Sequence, residues 1–239
     1  MDDAERLAAL ARRAADEVTP GMTLGLGSGS TAEAVVRELG ARVAAGLAVR
    51  GVPTSERTAT LARDVGIPLL GLDEVDGIDL GIDGADEIDP NLDLVKGRGG
   101  ALLHEKLVAL ACARFVVVAA AEKLVERLGT RMPLPVEVIP FGARRTAVRL
   151  EKLGLRPALR VRSGVSAETG MLGTARVPFV TDGGHHLLDC DVAPIADAAG
   201  LAGAIKATAG VVEHGLFVGI ADRALVVEAD GVVRALDRA

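Results

Sequence analysis

The feature that most constrains this chain is an alternation of short apolar runs with segments of helical periodicity. Residues 22–26, 47–52, 67–70, 78–82 and 115–120 are brief and mostly apolar, and the last contains no polar residue. Around them, residues 3–18, 32–39, 56–65 and 101–113 space their apolar side chains at helical intervals. Strands that read as nearly continuous apolar runs are buried on both faces, and parallel neighbours need a crossover such as a helix. The pattern predicts an α/β fold with a mostly parallel sheet covered on both faces. Such a sheet gathers its strand-end loops on one side, where a ligand site forms.

The rhythm changes at Met132-Pro133-Leu134-Pro135. Strands are predicted at 136–139, 158–161, 177–181 and 186–189, and helices at 144–153 and 195–205. That order describes a small α+β unit of the split-βαβ type. After Gly210 the buried, glycine-punctuated style returns at 211–212, 215–220 and 224–228, closed by an Asp230-Gly231 turn. The expected division is a catalytic unit of residues 1–130 plus 207–239 with an inserted α+β unit of 131–206.

Composition narrows the function classes. With 239 residues, 49% hydrophobic and 25% charged, the chain can bury a sizeable core. A net charge of −6 argues against nucleic-acid or anionic-membrane partners, and the lack of Trp and Tyr removes a base-stacking platform. Cys112 and Cys190 form neither a metal-ligand spacing nor a disulfide framework. His185 and His186 are adjacent, so on a strand they face opposite sides, and no third ligand has suitable spacing. No metal is expected. The acidic N-terminus leads into an amphipathic pattern rather than a signal-peptide core, and no apolar run reaches membrane-spanning length. A cytoplasmic location is expected.

Three loops carry the chemistry. Asp83-Gly84-Ala85-Asp86-Glu87-Ile88-Asp89 stacks carboxylates in a turn after an apolar run. Lys96-Gly97-Arg98-Gly99-Gly100 opens into a helix carrying Glu105 and Lys106. Carboxylates and ammonium groups beside glycine-rich backbone suit acid–base chemistry on a small polar anion, although a charged surface turn is the simpler alternative. Gly25-Leu26-Gly27-Ser28-Gly29-Ser30-Thr31 places backbone N–H groups, hydroxyls and a helix N-terminus together, an arrangement that suits phosphate. No Lys-Ser or Lys-Thr follows its last glycine, so it is not a Walker loop, and Ser30 stands where a dinucleotide fingerprint needs glycine. Alone it also reads as a tight strand-to-helix turn.

Taken in order, Gly-Ser-Gly-Ser-Thr at 27–31, Asp-Gly-Ala-Asp-Glu at 83–87, Lys-Gly-Arg-Gly-Gly-Ala at 96–101 and Glu-Lys at 105–106 resemble the A-type ribose-5-phosphate isomerases. Leu134-Pro135-Val136-Glu137-Val138 resembles the start of that family's small domain. The resemblance implies a Rossmann-like sheet with helices on both faces and an inserted α+β domain. It also implies a cofactor-free homodimer or homotetramer acting on a sugar phosphate. It makes Glu105 the base that moves a proton between C1 and C2, and sets Asp83, Asp86 and Lys96 around the reacting oxygens. Ser28, Gly29, Ser30, Thr31 and Lys123 fall against the substrate, together with Gly84, Ala85, Gly97, Arg98 and Gly99. Arg6 is a candidate counterpart of a basic substrate-binding residue, and His185 stands where relatives carry asparagine.

The chemistry gives these residue types a reason. Exchange of an aldose for a ketose through an enediol or enediolate needs a base for the C–H proton and a charge for the developing oxyanion. Glu105 can serve as the base and Lys96 as the charge, while Asp83 and Asp86 can relay hydroxyl protons and assist ring opening. Repulsion among the carboxylates raises their proton affinity and Lys96 opposes that effect. His104 follows the helix away from Glu105, and Arg160 and Arg162 read as solvated or interface charges. A sugar-phosphate sensor without catalysis is the alternative, but it needs no Glu105–Lys96 pair. A nucleotide-dependent dehydrogenase fails on the missing glycine.

Overall fold

The computed structural model describes residues 2–165 and 172–238. Its first half runs α1 (Asp3–Ala15), β1 (Thr23–Leu26), α2 (Ser30–Ala44), β2 (Arg50–Pro53), α3 (Glu56–Asp64), β3 (Leu80–Gly84), β4 (Glu87–Ile88), β5 (Leu94–Val95), α4 (Leu102–Leu110) and β6 (Phe115–Ala120). The second half begins β7 (Leu134–Val138), α5 (Ala143–Glu151), β8 (Arg156–Leu159), β9 (Val161–Val165), β10 (Leu172–Pro178) and β11 (His186–Asp191). It closes with α6 (Ala198–Lys206), β12 (Val211–His214), β13 (Leu216–Phe217), β14 (Arg223–Val227) and β15 (Val233–Asp237).

The main sheet has the order β15-β14-β6-β3-β1-β2, and every pair is parallel except the β14–β15 hairpin. The pleat sends alternate side chains to opposite faces. Leu24, Leu26, Val116, Val118, Leu225 and Val227 face one core, with Leu10, Val35, Leu39 and Leu61 of α1, α2 and α3. Phe115, Val117, Ala119, Ala224 and Val226 face the other. There α4 shares the covering with a three-stranded antiparallel sheet, β13-β5-β4, which supplies Ile88, Leu94 and Phe217. Two-residue strands have no period to detect, so this small sheet leaves no mark in the hydrophobic pattern. The expected strand at 67–70 shrinks to one bridge, Leu69 to Gly51, because Pro68 has no N–H to donate.

A second antiparallel sheet, β12-β7-β11-β8, packs Leu134, Val136, Val138, Leu188 and Cys190 against Leu150 of α5 and Ile205 of α6. Its order and its two helices are those of a split βαβ unit. β12 lies past residue 206 yet pairs with β7, so this sheet takes its last strand from the returning chain. The expected strand at 177–181 ends early, with β10 stopping at Pro178 and Val180 making a lone bridge to His186.

Two details place the site. From adjacent β1 and β3 the chain departs in opposite directions, to β2 and to β6, which opens a crevice at the ends of these strands. Gly25 of β1 lets α4 lie close, since a Cβ there would sit 2.7 Å from Val108 Cγ1. Val108 is one helical turn beyond Glu105, so this contact sets the catalytic candidate against the crevice.

Candidate active site

The loops after β1 and β3 meet through Asp83. Its Oδ1 accepts from Ser28 N at 3.0 Å and Gly84 N at 2.7 Å. Gly27 makes this approach possible, because a Cβ there would collide with the Asp83 carboxylate. The other oxygen, Oδ2, lies 3.0 Å from Lys96 Nζ. Lys96 Nζ also donates to Gly84 O at 2.6 Å and stands 3.5 Å from Glu105 Oε2. All three side chains are buried. Asp86 lies at the rim and accepts from Arg98 N at 3.0 Å, which ties the acidic turn to the glycine loop.

One ammonium therefore faces two buried carboxyl groups with a third nearby. Burial pushes the Glu105 carboxyl up to about 8; Lys96 pulls it down, while Asp83 and Asp86 reinforce the rise. Burial likewise raises Asp83 against the pull of Lys96. Burial also works against the charge on Lys96, but Asp83 and Glu105 outweigh it and raise its pKa. Asp83 Oδ1 already accepts two N–H groups, which favours its ionised form, so the retained proton belongs on Glu105. The contest between carboxylate repulsion and Lys96, open in the sequence, is decided by burial, which adds the largest push toward the protonated form.

The cavity over this cluster holds about 350 Å³. Ser28, Gly29, Ser30 and Thr31 form one wall, Gly84, Ala85 and Asp86 a second, and Lys96, Gly97, Arg98 and Gly99 a third, with Glu105 and Lys123 completing it. The structure thus brings the sequence candidates to one place except Arg6 and Asp83, the latter sitting behind the wall and bonded to Lys96. Gly29 caps α2 without a side chain, so the first N–H groups of that helix face the cavity uncapped. Arg6 instead pairs with Asp3. His104 lines a separate groove, and His185 Nδ1 lies 3.0 Å from Glu137 Oε1. Lys106 points the other way along α4, to Glu213 and His214. Among the described residues no group of His, Cys, Asp and Glu is arranged to hold a metal ion.

Four residues escaped the sequence reading. Ser28 Oγ lies 2.7 Å from Thr54 Oγ1, donates to Ser55 Oγ at 2.8 Å and lies 3.2 Å from Thr58 Oγ1. This hydroxyl cluster fastens the β1 loop to the start of α3. A strand end followed by Ser55 with a helix behind it was the available signal, since β2 lies beside β1. Arg160, read as a solvated or interface charge, is the fourth whose part was missed: it pairs with Asp189 and donates to the carbonyls of Gly97 and Arg98.

A doubly wound sheet with an uncapped helix N-terminus and a buried carboxylate–lysine cluster defines an α/β enzyme built for acid–base work on a small anion. The sequence profile of ribose 5-phosphate isomerase A (phosphoriboisomerase A) matches residues 50–231. The ribose-5-phosphate isomerase A of Roseiflexus castenholzii is 52% identical over 236 residues, covering 98% of this chain and 96% of that one. The structure is similar to ribose 5-phosphate isomerase A from Methanocaldococcus jannaschii, with a TM-score of 0.89, 37% identity and coverage of 99% and 100%. It is also similar to a D-ribose-5-phosphate isomerase in complex with phospho-erythronic acid, with a TM-score of 0.91, 35% identity and full coverage of both chains. The chain belongs to the ribose 5-phosphate isomerase A family. It is an aldose–ketose isomerase of the pentose phosphate pathway that interconverts ribose 5-phosphate and ribulose 5-phosphate. The sensor alternative falls with this result.

Proposed function

We propose that Glu105 carries the proton between C1 and C2 of the open-chain sugar through an enediolate, with Lys96 meeting the charge that develops on the neighbouring oxygen. The observation that carries this reading is Glu105 Oε2. It belongs to a buried side chain on the cavity wall, has no hydrogen-bond donor among the described residues, and lies 3.5 Å from Lys96 Nζ. An oxygen so placed can take a proton from carbon and return it one atom away, while the ammonium stabilises the oxyanion in a site of low dielectric. Asp86, at the cavity rim, serves the hydroxyl protons of ring opening. Asp83 acts from behind, holding Lys96 charged and in place.

The phosphate falls at the other end, against the N–H groups of Ser30 and Thr31 and their hydroxyls, with Lys123 and Arg98 adding positive charge. Ser28 contributes its place in the loop, since its hydroxyl is engaged by Thr54, Ser55 and Thr58. Gly84, Ala85, Gly97 and Gly99 keep the middle of the cavity open to the sugar. The relative's complex with phospho-erythronic acid supports a ligand of this chemistry. Such a ligand joins a phosphate to a carboxylate, and the two carboxylate oxygens mimic the paired oxygens of an enediolate. The same proposal has the chain working without metal or cofactor, as a cytoplasmic homodimer or homotetramer. It keeps the division into 1–130 plus 207–239 and an inserted unit of 131–206, with β12 lent to the inserted sheet.

Turnover in deuterium oxide tests the proton route. A proton resting on Glu105 exchanges with solvent, so deuterium is expected at the transferred position of the product. No deuterium after many turnovers, together with activity lost to a chelator, would point to a metal-assisted hydride shift instead.

A further inference from the structure

The glycine loop that carries Lys96 is held from outside by a side chain for which the proton route has no use. Arg160 lies between β8 and β9, and its guanidinium forms a fork with Asp189 of β11, Nε to Oδ2 at 2.9 Å and Nη2 to Oδ1 at 2.5 Å. The remaining nitrogen, Nη1, donates to Gly97 O at 3.2 Å and Arg98 O at 2.9 Å. Phe179 packs its ring against Gly100 and lies 5.6 Å from the same guanidinium. From the cavity side, Asp86 takes the N–H of Arg98. Arg98 is thus pinned at its N–H by a cavity carboxylate and at its C=O by Arg160.

We propose that Arg160, fixed by Asp189, is a positioning residue for the isomerisation. It holds the backbone of Gly97 and Arg98 so that Lys96 and Asp86 keep their places against the reacting oxygens. A loop with glycine at 97, 99 and 100 has far more backbone freedom than one without glycine, so its geometry has to be imposed from outside. Only a planar cation with several donors can grip a carboxylate with one edge and two carbonyls with the remaining nitrogen. Lysine offers a point charge on a flexible stem and cannot do both. Small displacements of a reacting group are costly in rate, and the phosphate end of the cavity is built mainly on the β1–α2 loop, to which this loop adds only the exposed Arg98 side chain. The loss therefore belongs in kcat rather than in KM.

The assignment rests on the reading of Glu105 and Lys96 as the reacting pair, so Glu105→Gln is measured in parallel. Arg160→Lys is expected to lower kcat by roughly ten- to a hundredfold while KM for ribose 5-phosphate stays within about threefold. Asp189→Asn, which leaves Arg160 in place but frees its fork, is expected to fall in the same direction by less. In Arg160→Ala, added guanidinium ion at low millimolar concentration is expected to restore part of kcat saturably, which a general loss of packing does not permit. Should Arg160→Ala fail to fold, Arg160→Lys decides alone. A kcat for folded Arg160→Lys within about twofold of the parent, beside an inactive Glu105→Gln, overturns the bracing role and leaves the reacting pair standing. Loss in Arg160→Ala that guanidinium does not restore overturns it too. An active Glu105→Gln overturns the reading beneath it.

Discussion

Two buried lysine–carboxylate clusters share the Phe217 ring, and they differ in how their charges are counted. Lys96 and Lys106 stand 5.5 and 4.9 Å from the ring centroid. Around Lys96 are Asp83, Glu105 and, at the rim, Asp86, so carboxylates outnumber the cation. Around Lys106 the ratio is reversed. Glu213 accepts from Lys106 at 2.7 Å and from Lys206 at 2.8 Å, and Lys106 also donates to His214 O at 2.7 Å. Burial opposes the charge on Glu213, but its bonds to Lys106 and Lys206 win and hold the carboxyl down to about 2. His214 is pushed down to about 4 by burial first and by Lys106 next, so it stays neutral. Glu105 and Lys106 are adjacent in sequence and equally hidden from water, yet one carboxyl–lysine set keeps a mobile proton and the other is locked. The difference teaches that burial alone does not make a reactive group; an uncompensated charge does.

The largest effect expected from breaking this contrast is on Glu105. Glu105→Gln keeps size and removes basicity, and should lower kcat by roughly 10²–10⁴-fold with substrate still bound, as steady-state kinetics and a binding titration will show. Lys96→Met removes the oxyanion partner and also leaves Asp83 and Glu105 facing each other without a cation. A loss of roughly 10²–10³-fold in kcat is expected. Lys106→Met touches the other cluster. It should cost on the order of 3 kcal/mol in urea unfolding while the folded protein turns over within a few-fold of the parent.

The smallest effects are those of pH, and they follow from two carboxyl groups shifted in opposite directions. Protonated Glu105 is inactive as a base, so kcat/KM for the free enzyme should rise with pH and level off above about 8. The carboxyl of Glu213 is depressed, so its contribution to stability is complete above the ordinary glutamate range and is lost as pH falls from about 4.5 toward about 2. His214 adds to this, since a histidine kept neutral in the fold favours unfolding as pH drops from about 6.5 to about 4. Thermal unfolding followed between pH 7 and pH 3 checks both.

Legibility in the sequence tracked how local each feature is. The parallel strands were visible because burial on both faces removes polar residues from a run such as Phe115–Ala120. The cavity loops were visible because glycine and charge cluster at strand ends, and the order of the motifs identified the family. The bridges between distant segments were hidden. Arg160 reaches Gly97 across 63 residues and Lys106 reaches Glu213 across 107, and no spacing rule connects such pairs. The Phe217 platform was hidden for the same reason: β13 is two residues long and pairs with β5, far back in the chain. Nor can a sequence say which of several carboxylates keeps a proton, because that depends on burial and on which cation is nearest.

Glu105 holds its proton near neutrality because burial opposes its charge and the single ammonium of Lys96, shared with Asp83, does not offset that. Carbon-13 NMR of glutamate carboxyl groups in the folded protein, titrated with pH, measures this directly. One signal should titrate near 8 and vanish in Glu105→Gln, while the Glu213 signal stays ionised down to well below 4. A Glu105 signal that titrates in the ordinary range near 4.5, or a signal near 8 that survives Glu105→Gln, would contradict the account.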